Sequence, residues 1–347
     1  MRDSIFYVSL RSFFKALFTI IGLGFGIIPL LVIISLFGSS ESEPDSKFTP
    51  KIAPNAEGVR KRMSKDSPVI LKINIVGLVG GEELSMKNIR QQLVESREDT
   101  LKNNRVKAII LNVETPGGTV VDAAGIYDAL KSYKEQYKVP VYAYVDGLCA
   151  SGGMYIACAA DKIYASDVSI VGSIGVIAPS FLNLTNLLEK IGVSSLTLFA
   201  GKGKDDLNPL RPWVPGEQDS YQSIINTYYN NFVDLVASNR PKLDKNKLIK
   251  EYGANVFPAK QAAQYGYIDG SGVSYSETLK MLLKEISIED DYYQVIEMES
   301  KTWFNTLFDS QSSVFTGKIK HQIQLTPELD SALLNKYLYL YQPGLTN

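Results

Sequence analysis

The chain has 347 residues, of which 45% are hydrophobic and 21% charged, with a formal net charge of −1. That length allows one large domain or two modest ones around a substantial core, and the near-neutral balance gives no support for a nucleic-acid partner. With only Cys149, Cys158 and His321 available, no zinc spacing exists, and nothing in the pattern calls for a cofactor.

Residues 16–37, ALFTIIGLGFGIIPLLVIISLF, carry no charge and are long enough to span a bilayer as a helix. Gly22, Gly24, Gly26 and Pro29 would weaken a soluble helix but are common in membrane spans. Arg2, Arg11 and Lys15 precede the run, whereas Glu41, Glu43 and Asp45 follow it. This bias predicts a single-pass anchor in the cytoplasmic (inner) membrane, with residues 1–15 in the cytoplasm and everything after residue 37 outside. A cleaved signal peptide is the competing reading, but the apolar run is long for one and Phe37-Gly38-Ser39-Ser40 is a weak cleavage site. Residues 38–66, rich in Ser, Glu, Pro and Lys, read as a flexible linker.

After the linker, strand and helix patterns alternate. Val69–Val76 reads as a strand, Met86–Leu101 as a helix, Lys107–Val113 as a buried strand and Val121–Tyr137 as a helix. Val141–Val145 is a further strand, ending in a tight turn at Asp146-Gly147, and a helix opens at Ser151. Lys162–Ala165, Ile170–Ile177 and Ser195–Phe199 are strand candidates, with a helix near Leu182–Ile191. Tyr221 to Val236 places Ile224, Ile225, Tyr228, Phe232 and Leu235 at helical spacing, a stripe suited to core or subunit contact. This alternation predicts an α/β domain over residues 67–285, with a mainly parallel sheet and helices packed outside it. In residues 286–347 the regularity fades. Thr326-Pro327-Glu328 looks like a helix start and Tyr337–Tyr341 (YLYLY) is an aromatic tail of open role; residues 286–347 as a whole could cap an oligomer, bind a partner or lie over the active site.

Chemistry concentrates in Val141–Tyr155, VYAYVDGLCASGGMY. A serine at the first turn of a helix presents a hydroxyl beside unpaired backbone N–H groups, as a nucleophile with an oxyanion site requires. It is also an ordinary N-cap, and on this segment alone the cap is the default reading. Cys149 and Cys158 flank Ser151 as small apolar fillers rather than a disulfide. The loop Glu114-Thr115-Pro116-Gly117-Gly118-Thr119 also leads from a strand into a helix, and adjacent glycines let backbone approach a ligand closely. In a parallel sheet both loops lie at carboxyl ends of strands, so the N–H groups of Gly118 and Gly152 could converge on one carbonyl oxygen. The lone His321, between lysines and glutamines, reads as a surface residue, so a Ser151 nucleophile would need another base.

The motifs ETPGGTVVDAAGIYDAL, DGLCASGGMYIACAADKIYAS, VGSIGVI and ANVFPAKQAAQYGYIDGSG occur in that order. Together they resemble the signal peptide peptidase A family (peptidase family S49), in its short single-copy form, over roughly residues 68–285. The resemblance implies a ClpP/crotonase-like β/α superhelical domain with an N-terminal transmembrane helix. It also implies that Ser151 is the nucleophile of a Ser/Lys dyad. In Phe199-Ala200-Gly201-Lys202-Gly203-Lys204-Asp205-Asp206 the family register selects Lys204 as base, with Lys202 as runner-up, and Ser173 of Gly172-Ser173-Ile174-Gly175 as a residue that could orient the lysine. A lysine base must be neutral to accept the serine proton, so it must be desolvated and kept from carboxylates; Asp205 and Asp206 must point away.

The resemblance further implies a ring-like homo-oligomer in which one subunit's lysine completes its neighbour's site. The expected function is ATP-independent hydrolysis of signal peptides or other hydrophobic peptides by a membrane-anchored serine endopeptidase. The alternatives are a protease processing a specific membrane protein, such as a stomatin-like partner, and a catalytically silent scaffold. An acyl-CoA enzyme of the same superfold is disfavoured by the anchor.

Overall fold

Short apolar runs bounded by turn residues become the central strands, and the longer patterned segments become helices laid against them. The structure, a computed structural model, describes residues 11–23, 26, 48–288, 291–300 and 337–341. Two units separate at Ser46. In the first, residues 11–23 form a solvent-exposed helix (α1). Most of the expected span 16–37 lies outside the described residues, and among those described no helix is long and apolar enough to cross a membrane.

The second unit begins with β1 (Phe48–Ala53), β2 (Val69–Val76), α2 (Met86–Glu95), β3 (Val106–Thr115) and β4 (Gly117–Thr119). Helix α3 (Val120–Tyr137), β5 (Val141–Ala150), α4 (Gly152–Ala157), β6 (Lys162–Ala165) and β7 (Ile170–Gly172) follow. Then come α5 (Thr185–Lys190), α6 (Asp219–Asn239), α7 (Lys245–Lys247), β8 (Val256–Pro258) and α8 (Ala259–Tyr265). The described elements end with β9 (Gly270–Ser271), α9 (Tyr275–Glu285), β10 (Gln294–Ser300) and β11 (Leu338–Leu340).

Nine strands form one sheet in the order β1-β10-β2-β3-β5-β6-β9, with β7 beside β5 and β8 beside β7. All pairings in it are parallel except β1–β10 and β7–β8. The central strands are buried on both faces, which is why they read as continuous apolar runs. On one face Leu71, Ile73, Ile109 and Leu111 pack with Ile89, Ile126 and Leu130 of α2 and α3. On the other, Ile70, Ala108 and Ile110 meet Leu279 and Leu282 of α9. Each of these leucines and isoleucines, fully withdrawn from water, stabilises the fold by about 1.5–3 kcal/mol.

Several expected boundaries move, each for a physical reason. The helix foreseen over Met86–Leu101 stops at Ser96, whose buried hydroxyl donates back to Leu93 O at 2.7 Å; a separate 3-10 turn follows at Asp99–Leu101. The strand begun at Val141 does not turn at Asp146-Gly147. It runs to Ala150, because Tyr142–Val145 pair with β6 and Leu148–Ala150 transfer to β7, while Gly147 takes φ +107. Ile170–Ile177 shortens to β7, leaving Ile177 in an isolated bridge. Ser195–Phe199 is not a strand; it has no pairing partner among the described residues and is exposed throughout. The sheet also reaches beyond residues 67–285: β1 falls within the expected linker, and β10 pairs with β2. His321 and Thr326–Glu328 lie outside the described residues.

Candidate active site

At the carboxyl end of β5 the chain must turn sharply from strand to helix, and Ser151 occupies the corner. Its backbone adopts φ 54, ψ −114, a conformation costly for any residue with a Cβ and found where surrounding structure enforces it. The enforcement is visible: Ser151 N donates to Gly172 O of β7 at 2.9 Å, and Ser151 O accepts from Tyr155 N at 3.0 Å in the first turn of α4. Ser151 is 1% exposed, and its Oγ has no hydrogen-bond partner among the described residues. The N-cap reading therefore fails, since the side chain accepts nothing from the helix it precedes. A buried hydroxyl left unpaired costs about 1–3 kcal/mol, a cost expected where a reaction partner supplies the missing bond.

The glycine loop is held against this corner. Thr115 at the end of β3, fully buried, donates its hydroxyl to Gly77 O at 2.5 Å and accepts Gly117 N at 3.0 Å. Gly117 takes φ +95; a Cβ there would come within 2.7 Å of Gly152 N. A Cβ on Gly152 would lie 3.3 Å from both Gly117 Cα and Gly118 N. On its far side β4 is bonded to Val79, with Thr119 N donating to Val79 O and Val79 N to Gly117 O, both at 2.9 Å. Thr119 then caps α3, its Oγ1 accepting Asp122 N at 3.1 Å. Gly118 and Gly152 are thus packed side by side next to Ser151. Thr115, which fixes this packing, carries no sequence signal of its own.

The space in front of these glycines holds the aromatic tail. Strand β11 pairs antiparallel with β4, matching Leu338 to Thr119, Tyr339 to Gly118 and Leu340 to Gly117. Val120 N donates to Tyr337 O at 3.1 Å and Tyr341 N to Pro116 O at 2.8 Å. On the other edge Leu338 and Ile177 exchange both backbone bonds at 3.0 Å. The tail is therefore an extended peptide hydrogen-bonded on both sides, the pattern of recognition by strand addition. A Cβ on Gly117 would overlap Tyr339 O, and one on Gly152 would stand 3.1 Å from it. The carbonyl oxygen of Tyr339 thus lies against Gly117 and Gly152. Of the three roles left open for this segment, the described part lies over the candidate site.

The two candidate lysines are not gathered there. Lys202 and Lys204 are exposed, in an irregular segment after α5. Asp205 does point elsewhere: it is bound by Arg211 Nε at 2.5 Å and by Asn208 Nδ2 at 2.6 Å. These bonds, Arg211's first, hold the Asp205 carboxyl below the usual carboxylate range. Ser173 is buried, with φ 57 and its N donating to Asn255 O at 2.8 Å. Cys149 and Cys158 are free and buried, as read from the sequence; burial pushes the Cys158 thiol up to about 12, so it is no nucleophile. A cavity of about 400 Å³ between α2 and α3, lined by Arg90, Leu93, Asp128 and Tyr137 among others, contains none of these groups.

The arrangement can polarise a peptide carbonyl beside a hydroxyl, which is the requirement of acyl transfer. Comparisons with known proteins agree. Residues 133–287 match the model of peptidase family S49, and residues 64–168 match that of Clp protease, in keeping with the mixed α/β, ClpP-like fold. A protein of Enterococcus faecium named "Putative signal peptide peptidase SppA" is 29% identical over 298 residues, covering 81% of this chain and 84% of that one. The chloroplastic serine protease SPPA of Arabidopsis thaliana is 31% identical over 185 residues, covering 53% of this chain and 27% of its own length. Protease 4 of Haemophilus influenzae is 28% identical over 243 residues, covering 68% and 37% respectively. The chain thus spans most of the enterococcal relative but well under half of the other two.

Proposed function

Because the chain belongs to peptidase family S49 and is a serine peptidase, we propose that Ser151 is its nucleophile and Lys204 of another copy its general base. The observation that carries this reading is the buried, unpartnered Ser151 hydroxyl at a strained corner, with the Tyr339 carbonyl against Gly117, Gly118 and Gly152. In the forward step Ser151 Oγ attacks a peptide carbonyl as its proton passes to the neutral lysine. The N–H groups of Gly118 and Gly152 hold the oxyanion, and the lysine returns the proton to the departing amine. Water, deprotonated by the same lysine, then releases the acyl group and restores Ser151.

Two features support a base delivered by a neighbour. Lys204 is exposed, whereas a lysine base must be desolvated. The segment before it also carries unshielded apolar side chains, Leu196 and Leu198 being 84% and 86% exposed, as expected of a surface covered in a homo-oligomer. Burying that segment against another copy would take the ammonium out of water while Arg211 keeps Asp205 occupied. Ser173, close in sequence to the Gly172 carbonyl that holds Ser151, is proposed to orient the incoming lysine.

The proposed substrates are signal peptides and other hydrophobic peptides in extended form, cleaved without ATP. The charge-free run 16–37 would anchor the enzyme in the cytoplasmic membrane with the peptidase domain outside. Strand addition supports this class, because it reads backbone and so requires an unfolded segment. The test is digestion of an apolar peptide by the full chain without nucleotide, beside Ser151→Ala. Hydrolysis by the first alone is expected; equal hydrolysis by both would overturn the assignment.

A further inference from the structure

The segment that carries Lys204 is open to solvent almost throughout: of residues 178–217, only Asp205, Leu207 and Glu217 are buried. The two acids close on one guanidinium. Arg211 donates through Nε to Asp205 Oδ2 at 2.5 Å, through Nη2 to the backbone carbonyl of Asp205 at 2.6 Å, and through Nη1 to Glu217 Oε1 at 2.6 Å. The second oxygen of Glu217 accepts Leu207 N at 3.0 Å, and the second oxygen of Asp205 accepts Asn208 Nδ2 at 2.6 Å. Leu207 sits inside this knot at φ 57, a left-handed backbone that a bulky side chain adopts only where its surroundings require it.

Buried ion groups contribute little net stability, because desolvation offsets most of their attraction. What an arginine fork supplies is a fixed direction and distance for each partner. The partner it grips at backbone and side chain together is Asp205, the residue next to Lys204. We infer that Arg211 and Glu217 are positioning residues for the general base: the knot fixes the backbone from which Lys204 projects and keeps the Asp205 carboxylate from pairing with its ammonium. This rests on the reading of Lys204 as base. The other charged groups around it are few. Asp206 turns back over Gly203, where an added Cβ would stand 3.0 Å from its Oδ2, and Lys202 lies two residues before the base. Helix α5, joined to the segment by Leu184 N donating to Pro209 O at 2.7 Å, carries Glu189 and Lys190, and α6 opens with Asp219. Of the carboxylates at Asp205, Asp206, Glu189 and Asp219, only Asp205 is ion-paired among the described residues. A free carboxylate beside a lysine favours the ammonium, so releasing Asp205 would move the neutral, active lysine to higher pH.

The test compares full-chain variants on one apolar peptide across pH, with Lys204→Ala as the reference for the base. Arg211→Ala frees the Asp205 carboxylate and its backbone carbonyl together. It should lower kcat about 100-fold, as for a base displaced by about 1 Å, with little change in KM. It should also move the rise of kcat with pH upward by about one pH unit. In the double variant Arg211→Ala with Asp205→Asn, that rise should return to its parental position while kcat stays low, because the backbone bond is still missing. Arg211→Lys keeps a cation for Asp205 and Glu217→Gln keeps an acceptor for Leu207 N. Each should lower kcat about 10-fold with the pH profile unmoved, and these two variants decide the matter if Arg211→Ala does not fold. Parental kcat in both would overturn the positioning role. A slowed Arg211→Ala enzyme whose pH profile stays in place would overturn the sequestering of Asp205. Parental kcat in Lys204→Ala would overturn the base assignment, and this inference with it.

Discussion

Replacing Gly117 by alanine tests the oxyanion site with a single methyl group. Gly117 sits at φ +95, so any Cβ there is strained by about 1–2 kcal/mol before its neighbours are considered. The methyl would overlap Tyr339 O and stand 2.7 Å from Gly152 N, in the space proposed for the substrate carbonyl. Relief requires β4 to shift away from α4, which separates the two donors. Loss of one such donor costs about 10²–10³ in kcat, or about 2.7–4 kcal/mol. The fold itself should bear the change, because Thr115 still ties the loop to Gly77. Peptide hydrolysis and thermal unfolding measured on the same preparation separate the two effects. The expected result is a kcat reduced at least 100-fold with a melting point within several degrees of the parent. A Gly117→Ala enzyme with undiminished kcat would refute the placement of the oxyanion between Gly118 and Gly152.

The remaining expectations concern the base and its loop. Lys204→Ala should abolish hydrolysis, while Lys202→Ala should remain largely active; a fully active Lys204→Ala chain would contradict the register chosen. If sites are shared, inactive Ser151→Ala and Lys204→Ala chains should regain partial activity when dissociated and reassembled together, and no recovery would place the base within one chain. The folded Asp205 carboxyl lies below its unfolded value, so its pairing with Arg211 stabilises the loop above about pH 4 and is lost as pH falls through the folded value. Trp213, whose indole donates to Asn208 O at 2.9 Å, reports that loop. In a Trp303→Phe background its fluorescence should change only below about pH 4, and no change there would refute the coupling.

Much of the sheet was legible because its strands carry buried apolar runs, Val69–Leu71 in VILKINIV and Ala108–Leu111 in KAIILNV. The helix read as Val121–Tyr137 was legible from its spacing and is observed over Val120–Tyr137. What escaped was decided by partners distant in sequence. The carry-through of β5 past Gly147 depends on β7 replacing β6 alongside it, which no local pattern encodes. Likewise β1 and β10 hold each other at the sheet edge from opposite ends of the peptidase unit. Ser195–Phe199 alternates like a strand yet pairs with none of the described residues, the outcome expected if its partner belongs to another chain.

At the site the two glycine loops and the serine were readable, because close backbone approach demands glycine and leaves a trace in composition. The strained backbone of Ser151 was not, since a serine at a helix start looks the same whether it caps or reacts. Nor was the tail: YLYLY has strand-like alternation, but only the rings of Tyr155 and Phe232 reveal why tyrosine stands at position 339.

The central claim is that the Ser151 hydroxyl is a nucleophile, and covalent labelling reads it directly. The full chain, treated at alkaline pH with a serine-reactive phosphonate and digested for mass spectrometry, should carry the adduct on Ser151, with none in Ser151→Ala or Lys204→Ala. An adduct on another serine, or labelling that persists in the Ser151→Ala chain, would contradict it.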